Sequence, residues 1–573
     1  MSSSNTEMAK HRKEEDFQHE LILSKESVLG HSWIPVFSSS ADINTDHFQV
    51  AMSNLIRQPN VNSTVVMRAD ILKENKYEED EGDSLFTSKL INEFPKFNSN
   101  SDQSEVLHKN LMDTELRTVA LDTANVKFNR KVEVVRRLIP RNPFKDPIIN
   151  QSCLIYREAR NQFESSNQSA LIIYIPHLDR VEDIPFYLPP VYAIAILYHE
   201  ATLSIHYYPF KFPNSHQVFR NLDPSDRSVR IALRLLLTSK KHSQGIKSGY
   251  QKRVHHDLIV PRFAFQNRYI SLKGKYSAHL VNNWVESTDP KKHVFEDLAI
   301  AAFLIELWSQ KYKSKHDFEF RDLGCGNGLL VYILIMEGYR GKGIDARSRK
   351  SWALYPEEVS QNLLQQVLVP SILLKPHPSV SKLAPDLKDN GRIFRASLSS
   401  AAKDKGSEGN SSTSHYSSAS LLDSPHVSTT EDFPPNTFLI GNHSDELTCW
   451  IPLLELPFMV IPCCSHSLSG TKVRYPPKRS LHSTEKNQST YAALVDHVEE
   501  ISYRIGWKVE KEMLRIPSTR NAAILATERN FPFSEESPME TKCRILDIIA
   551  MEGGAEGWVE NSTALMNRSP RSH

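Results

Sequence analysis

Cysteine is scarce in this chain: six residues in 573, with no two spaced as C-x-x-C. That excludes a disulfide-stapled scaffold and a cysteine-rich zinc module. Long apolar runs are also missing, since no segment reaches the roughly 18 to 20 apolar residues that a membrane span needs. The opening "MSSSNTEMAKHRKEEDFQHE" has no apolar core of a secretory leader. No membrane association and a cytoplasmic location are therefore expected. Nor is there an excess of one charge, with 69 basic and 68 acidic residues, so any polyanionic partner would have to be held by local patches. Two nucleotide signatures are absent as well. No Gly-Lys-Ser/Thr closes a phosphate loop, and no G-x-G-x-x-G opens a dinucleotide fold.

What is present is length and pattern. A chain of 573 residues, 40% of them hydrophobic, has room for two or more cores. Residues 1–130 mix short apolar runs with polar stretches such as "NKYEEDEGDS", which reads as a poorly defined, partly disordered region. Residues 131–293 read as an α+β region. Here "SALIIYIPHL", "YAIAILYHEATLSIHYY" and "VRIALRLLLTS" carry strand signals, though short apolar runs of this kind could equally be helices. From Val294 to about residue 535 strand and helix signals alternate, which predicts an α/β domain with a parallel sheet. Residues 396–431 are Ser-rich and predict a disordered insertion, and 536–573 a C-terminal tail. Within the α/β segment, "WKVEKEMLRI" and "NAAILATE" around a "PSTR" turn predict a terminal hairpin, and "SDELTCWIPLLEL" a helix.

The densest signal is "RDLGCGNG", residues 321–328, between a strand expected at Glu319–Asp322 and a helix from about Gly328 to Glu337. Gly324, Gly326 and Gly328 would let the backbone approach a ligand beyond the strand ends. The G-x-G-x-G spacing has no pyrophosphate to cradle. A second acid, Asp345, closes the next strand at the distance where a carboxylate accepts from ribose hydroxyls. Asp322, three glycines and Asp345 together suit S-adenosylmethionine, with Asp322 near the cationic amino-acid end. Asn327, in the loop, and Asn442, ending "NTFLIGN", complete the candidate cofactor contacts.

The segment "DLGCGNGLLVYILIMEGYRGKGIDARSRKSW" resembles the tRNA (uracil-2'-O-)-methyltransferase, or Trm44-like, family. So do "FLIGNHSDELTCWIPLL", "FMVIPCCSHSLSGTKVRYP" and "RIPSTRN". The likeness is strong over about 294–530 and weaker upstream through "RRLIPRNPFKDP". It implies a Rossmann-like class I methyltransferase domain, with a mostly parallel seven-stranded sheet and a terminal hairpin, behind a mixed α+β region able to bind tRNA. It also implies methylation of the ribose 2'-hydroxyl of uridine 44 in serine tRNA. Cys449 departs from the family's Pro-Trp at "CW".

For the acceptor, the loop "GNHSDELT" lacks the Asn/Asp-Pro-Pro-aromatic turn of amine methylation. A ribose hydroxyl needs a proton acceptor, for which His443, Asp445 and Glu446 are the candidates; Ser444 or Asp445 could equally cap a helix. "IPCCSH" offers a rival, a cysteine nucleophile for pyrimidine C5-methylation from Cys463 or Cys464. A further alternative is a non-catalytic methyltransferase-fold RNA-binding protein. No metal is expected, because the Cys463, Cys464 and His466 spacing is not that of a zinc module. Candidate RNA contacts are Arg347, Arg349, Lys350, His466 and Arg520, with a basic cluster of Lys240, Lys241, Lys247, Lys252 and Arg253 around Tyr250.

Overall fold

In a computed structural model the described residues are 19–77, 84–87, 111–123, 126–143, 145–159, 168–250, 256–398, 412–476 and 489–566. The chain divides into two units, Met1–Lys252 and Arg253–His573.

The first unit is built on a nine-stranded sheet. Its strands are β1 (Glu20–Leu21), β2 (Ile34–Ser40), β3 (Val66–Lys76), β4 (Ser84–Thr87), β5 (Phe128–Pro140), β6 (Ile149–Glu158), β7 (Ala170–Pro176), β8 (Ala193–His199) and β9 (Thr202–Tyr208). They run in the order β1-β2-β9-β8-β7-β6-β5-β3-β4, with every pair antiparallel. β7 is buried along its whole length, so both faces of the sheet must be covered. Ile172 points to the face packed by helices α1 (Thr45–Arg57) and α2 (Arg227–Lys247), against Phe48, Leu55 and Leu236. Leu171 and Ile173 point to the other face, against Leu29 and Trp33. Each such buried side chain contributes about 1.5–3 kcal/mol.

Two expectations are corrected here. β1 to β4 lie within residues 1–130 and belong to the same sheet as β5 to β9, because their alternation is completed only by pairing with distant strands. "VRIALRLLLTS" is helical: Val229, Ala232 and Leu236 recur at helical spacing and are buried.

The second unit begins with helices α3 (Arg262–Asn282) and α4 (Pro290–Lys311), so the division falls after residue 252 rather than 293. Asp289 caps α4 by accepting from the amides of Lys291 and Lys292, with Pro290 in the first turn. Strands β10 (Glu319–Leu323) and β11 (Gly341–Asp345) flank helix α5 (Leu329–Met336), and β12 (Leu363–Gln365) follows. Next come β13 (Val367–Leu368), β14 (Ile393–Leu398), β15 (Ser412–Ser417), β16 (Val427–Ser428), β17 (Thr437–Asn442) and β18 (Phe458–Ile461). Helix α6 (Thr490–Arg504), strands β19 (Glu510–Met513) and β20 (Ala522–Ala526), and helices α7 (Pro538–Met551) and α8 (Trp558–Met566) complete the unit.

The main sheet runs β12-β11-β10-β17-β18-β20-β19. Its first five strands are parallel, and β20 and β19 form the expected antiparallel hairpin. Strand order reverses between β10 and β17, which opens a crevice at their carboxyl ends. Helices α4 and α5 cover one face through Leu304, Trp308 and Val331. Leu494, Ile501, Ile548 and Trp558, from α6, α7 and α8, cover the other.

Residues 536–573 are therefore not a tail where described: Ile545, Ile548 and Val559 are core residues, and the Trp558 indole donates to the Leu368 carbonyl at 3.2 Å. The Ser-rich segment likewise contributes the β14–β15 hairpin and a short helix at Ser418–Leu422, with Leu421 and Val427 buried. Its residues 399–411 lie outside the described residues. "SDELTCWIPLLEL" forms 3-10 turns at Asp445–Leu447 and Ile451–Leu454 rather than an α-helix, because Asp445 is left-handed (φ 44°) and Pro452 removes an amide. Among the described residues no helix is long and apolar enough to cross a membrane.

Candidate active site

The loop after β10 turns left-handed at each of its three glycines, with φ 77°, 54° and 73° at Gly324, Gly326 and Gly328. Gly328 is the residue on which α5 starts. A Cβ at Gly328 would stand 2.9 Å from Leu363, whereas one at Gly326 would meet nothing within 4 Å. Gly328 is thus crowded by its neighbour, and Gly326 leaves the backbone bare toward open space. Gly324 and Cys325 are tied to β11 through the Ile344 carbonyl, at 2.8 and 3.1 Å. Asp345 accepts from the Gly326 amide at 2.9 Å and from the Arg347 amide at 3.0 Å. Its carboxyl is raised above the ordinary range by burial, with those two amides and Arg349 opposing.

Asn327 caps inward, accepting from the Leu329 amide at 3.0 Å. Its carbonyl is clamped by Ser351 at 2.8 Å and Tyr355 at 3.1 Å, and the Trp352 indole donates to the Gly326 carbonyl at 3.0 Å. Ser351 is in turn held by Glu286. The sequence signal for this brace is "RKSWALY" after Asp345, where Arg349 and Lys350 are the expected RNA contacts.

Asp322, the last residue but one of β10, is buried, and its Oδ1 has no hydrogen-bond partner. Burial, then Asp297, then Asp345 drive its carboxyl well above the usual range. Asp297 comes from α4. Burial and Glu296 push it up to about 7, against a hydrogen bond from Asn442. That bond, from Asn442 Nδ2 to Asp297 Oδ1, is 3.0 Å, and Asn442 Oδ1 is buried and unpartnered. Next along the chain, His443 is left-handed (φ 52°) and its Nε2 lies 3.2 Å from Glu296 Oε1. Glu296 is held below the usual range: burial raises it, but the His443 hydrogen bond and charge outweigh that. Glu296 and Asp297 were missed from sequence. They stood out as two acids, "ED", at the head of the apolar run "LAIAAFLIEL".

Asp445 is exposed and accepts from the Cys463 thiol at 2.9 Å. Glu446 is half-buried beside it. Burial and then Asp445 raise the Cys463 thiol far above its ordinary value, which keeps it protonated and a poor nucleophile. Asp445, Cys463 and Cys464 bring potential ligand atoms within 4.8 Å of one another, but the Arg520 guanidinium lies 3.5 Å from the Cys464 sulfur. Arg520 and Lys350 are exposed and Arg347 half-buried, all near the strand ends.

Other expected contacts are drawn inward. His466 is buried, pairing in a bridge with Lys472, and its carbonyl accepts from Tyr475 at 2.7 Å and from the buried Cys449 thiol at 3.5 Å. Arg349 Nε is buried. Lys240 is buried against Ser39 and Lys247 pairs with Asp42 at 2.6 Å, while Tyr250 is exposed. Lys252 and Arg253 lie outside the described residues.

A bare glycine turn between two acids, at the crevice between parallel strands of a doubly covered mixed sheet, defines an S-adenosylmethionine-dependent methyltransferase. The unpaired acceptors Asp322 Oδ1 and Asn442 Oδ1 fit a cationic amine donor, and Asp345 fits ribose hydroxyls. Comparison with known proteins agrees. Residues 8–253 match the family described as TRM44-like, N-terminal bet v1-like domain. Residues 259–370 match that described as predicted AdoMet-dependent methyltransferase.

A tRNA (uracil-O(2)-)-methyltransferase of Debaryomyces hansenii is 59% identical, over 99% of this chain and all of the relative. Relatives of the same name are 49% identical in Saccharomyces cerevisiae, over 96% of each chain, and 34% in Schizosaccharomyces pombe, over 95% of this chain and 94% of the relative. No solved structure matches. The chain belongs to the tRNA (uracil-O(2)-)-methyltransferase family.

Proposed function

We propose that this protein methylates the 2'-hydroxyl of a tRNA uridine, at position 44 of serine tRNA, in the cytoplasm, using a Rossmann-like class I methyltransferase domain. The carrying observation is the intact donor loop between Asp322 and Asp345, in a chain similar over nearly its whole length to proteins named for that activity.

S-adenosylmethionine, when bound, supplies a methyl group already activated on a sulfonium. The protein's own residues bind, orient and move a proton. Asp322 and Asn442 hold the cationic end, and Asp345 the ribose hydroxyls. Gly326 and Gly328 admit the backbone, with Asn327 locked by its clamp. His443 accepts the proton of the attacking hydroxyl, while Asp445 and Glu446 supply negative charge at the mouth of the site. Arg347, Lys350 and Arg520 meet phosphates, and the first unit helps hold tRNA.

The reading is tested by incubating the protein with labelled donor and unmodified serine tRNA, then digesting to nucleosides. The expected product is 2'-O-methyluridine with label confined to position 44. A 5-methylpyrimidine would move the acceptor to a base carbon and Cys463 or Cys464. Donor binding without transfer would leave an RNA-binding protein without turnover.

A further inference from the structure

His443 and Glu296 come from distant parts of the second unit and meet at a single contact. His443 stands just past the carboxyl end of β17, next to the switch point, in a backbone conformation that a non-glycine residue adopts only when its surroundings hold it there (φ 52°). Glu296 lies in the second turn of α4 and is buried, with its carboxylate against the His443 ring. The two side chains meet at 3.2 Å through the imidazole Nε2, which leaves Nδ1 outside the contact. The His443 side chain remains 26% exposed, whereas the Glu296 side chain, at 8%, is enclosed. This is the arrangement in which a carboxylate fixes one ring nitrogen as donor and the other as acceptor.

We infer that Glu296 is a positioning residue for methyl transfer: it holds His443 with Nε2–H donated to its carboxylate, so that Nδ1 receives the proton of the ribose 2'-hydroxyl. The inference rests on the reading of His443 as proton acceptor given above. In the step, O2' forms a bond to the methyl carbon, and the carbon–sulfur bond breaks with its electron pair staying on sulfur. The hydroxyl proton passes to Nδ1. The resulting imidazolium lies against the Glu296 carboxylate, which stabilises it. The other charged groups nearby are Lys292, His293 and Asp297 on α4 and Asp445 and Glu446 on the loop of His443. All keep their identity on substitution at 296, but Glu296 raises both Asp297 and His293, so Glu296→Gln lowers those two groups as well.

The test compares Glu296→Gln, His443→Asn and the double variant in single-turnover methyl transfer from pH 5.5 to 9, with donor affinity measured calorimetrically on each. The expected result for Glu296→Gln is a fall in the transfer rate on the order of 10-fold or more, with donor Kd and the KM for tRNA changed less than about twofold. His443→Asn falls further, and the double variant equals His443→Asn, since Glu296 acts only through the ring. Equal rates for wild type and Glu296→Gln, with His443→Asn impaired, would overturn the positioning role alone. Full activity of His443→Asn would overturn the proton-acceptor reading and this inference with it. Additive losses in the double variant would assign Glu296 a role independent of the ring and overturn it too.

Discussion

Asp345 uses its two oxygens on two backbone amides, Gly326 and Arg347, and so shapes the loop as well as presenting its remaining acceptor capacity to the donor ribose. A hydrogen bond to a charged group contributes about 1.5–3 kcal/mol. Replacing Asp345 by Ala should therefore weaken donor binding on the order of 30-fold, the equivalent of about 2 kcal/mol, as read by calorimetric titration with S-adenosylmethionine. Asp322, Asp345 and the three glycines were legible from the sequence because their chemistry depends on local backbone and neighbouring strand ends. His466 and Arg349 were not. A histidine or arginine beside a loop reads as a ligand contact, and only packing reveals that the His466 side chain is enclosed and that Arg349 turns inward.

At the level of the element, α4 does more than cover the sheet. Its first turns carry Glu296 and Asp297 into the site, and Asp297 keeps its proton through the mildly acidic range because burial and Glu296 push it up to about 7. The unfolded chain loses that proton near 3.8, so between those values the native state binds more protons. Stability from this group is whole below about pH 3.8 and is lost as pH rises toward 7. Asp297→Asn abolishes that slope. Urea unfolding of the donor-free protein at pH 5 and 8 should show wild type losing more stability than the variant over that interval, by an amount on the order of 1–3 kcal/mol. The helix itself was readable from composition along the apolar run from Val294, whereas its start at the Asp289-Pro290 cap lies upstream of that signal. The run "SDELTCWIPLLEL" was misread because left-handed Asp445 and Pro452 break a pattern that composition alone presents as helical.

On the scale of the whole molecule, every residue assigned to the donor site lies between Glu286 and Asn442, within the second unit. The chain from residue 253 to 573 should therefore bind S-adenosylmethionine within about twofold of the full chain. If the first unit holds tRNA, that chain should bind tRNA on the order of 10-fold or more weakly at matched salt. Filter binding beside calorimetry measures both. By itself the sequence determined the donor: a strand, an alternate-glycine turn and a second acid are short-range features, and the order of neighbouring elements follows from connection rules. Only the tertiary structure decided that β1 to β4 complete a nine-stranded sheet, that α7 and α8 close a core, and that α4 hands two acids to the loop after β17. Those contacts join residues from tens to hundreds of positions apart, and burial, which sets whether a carboxyl is charged or a cation free, exists only once they form.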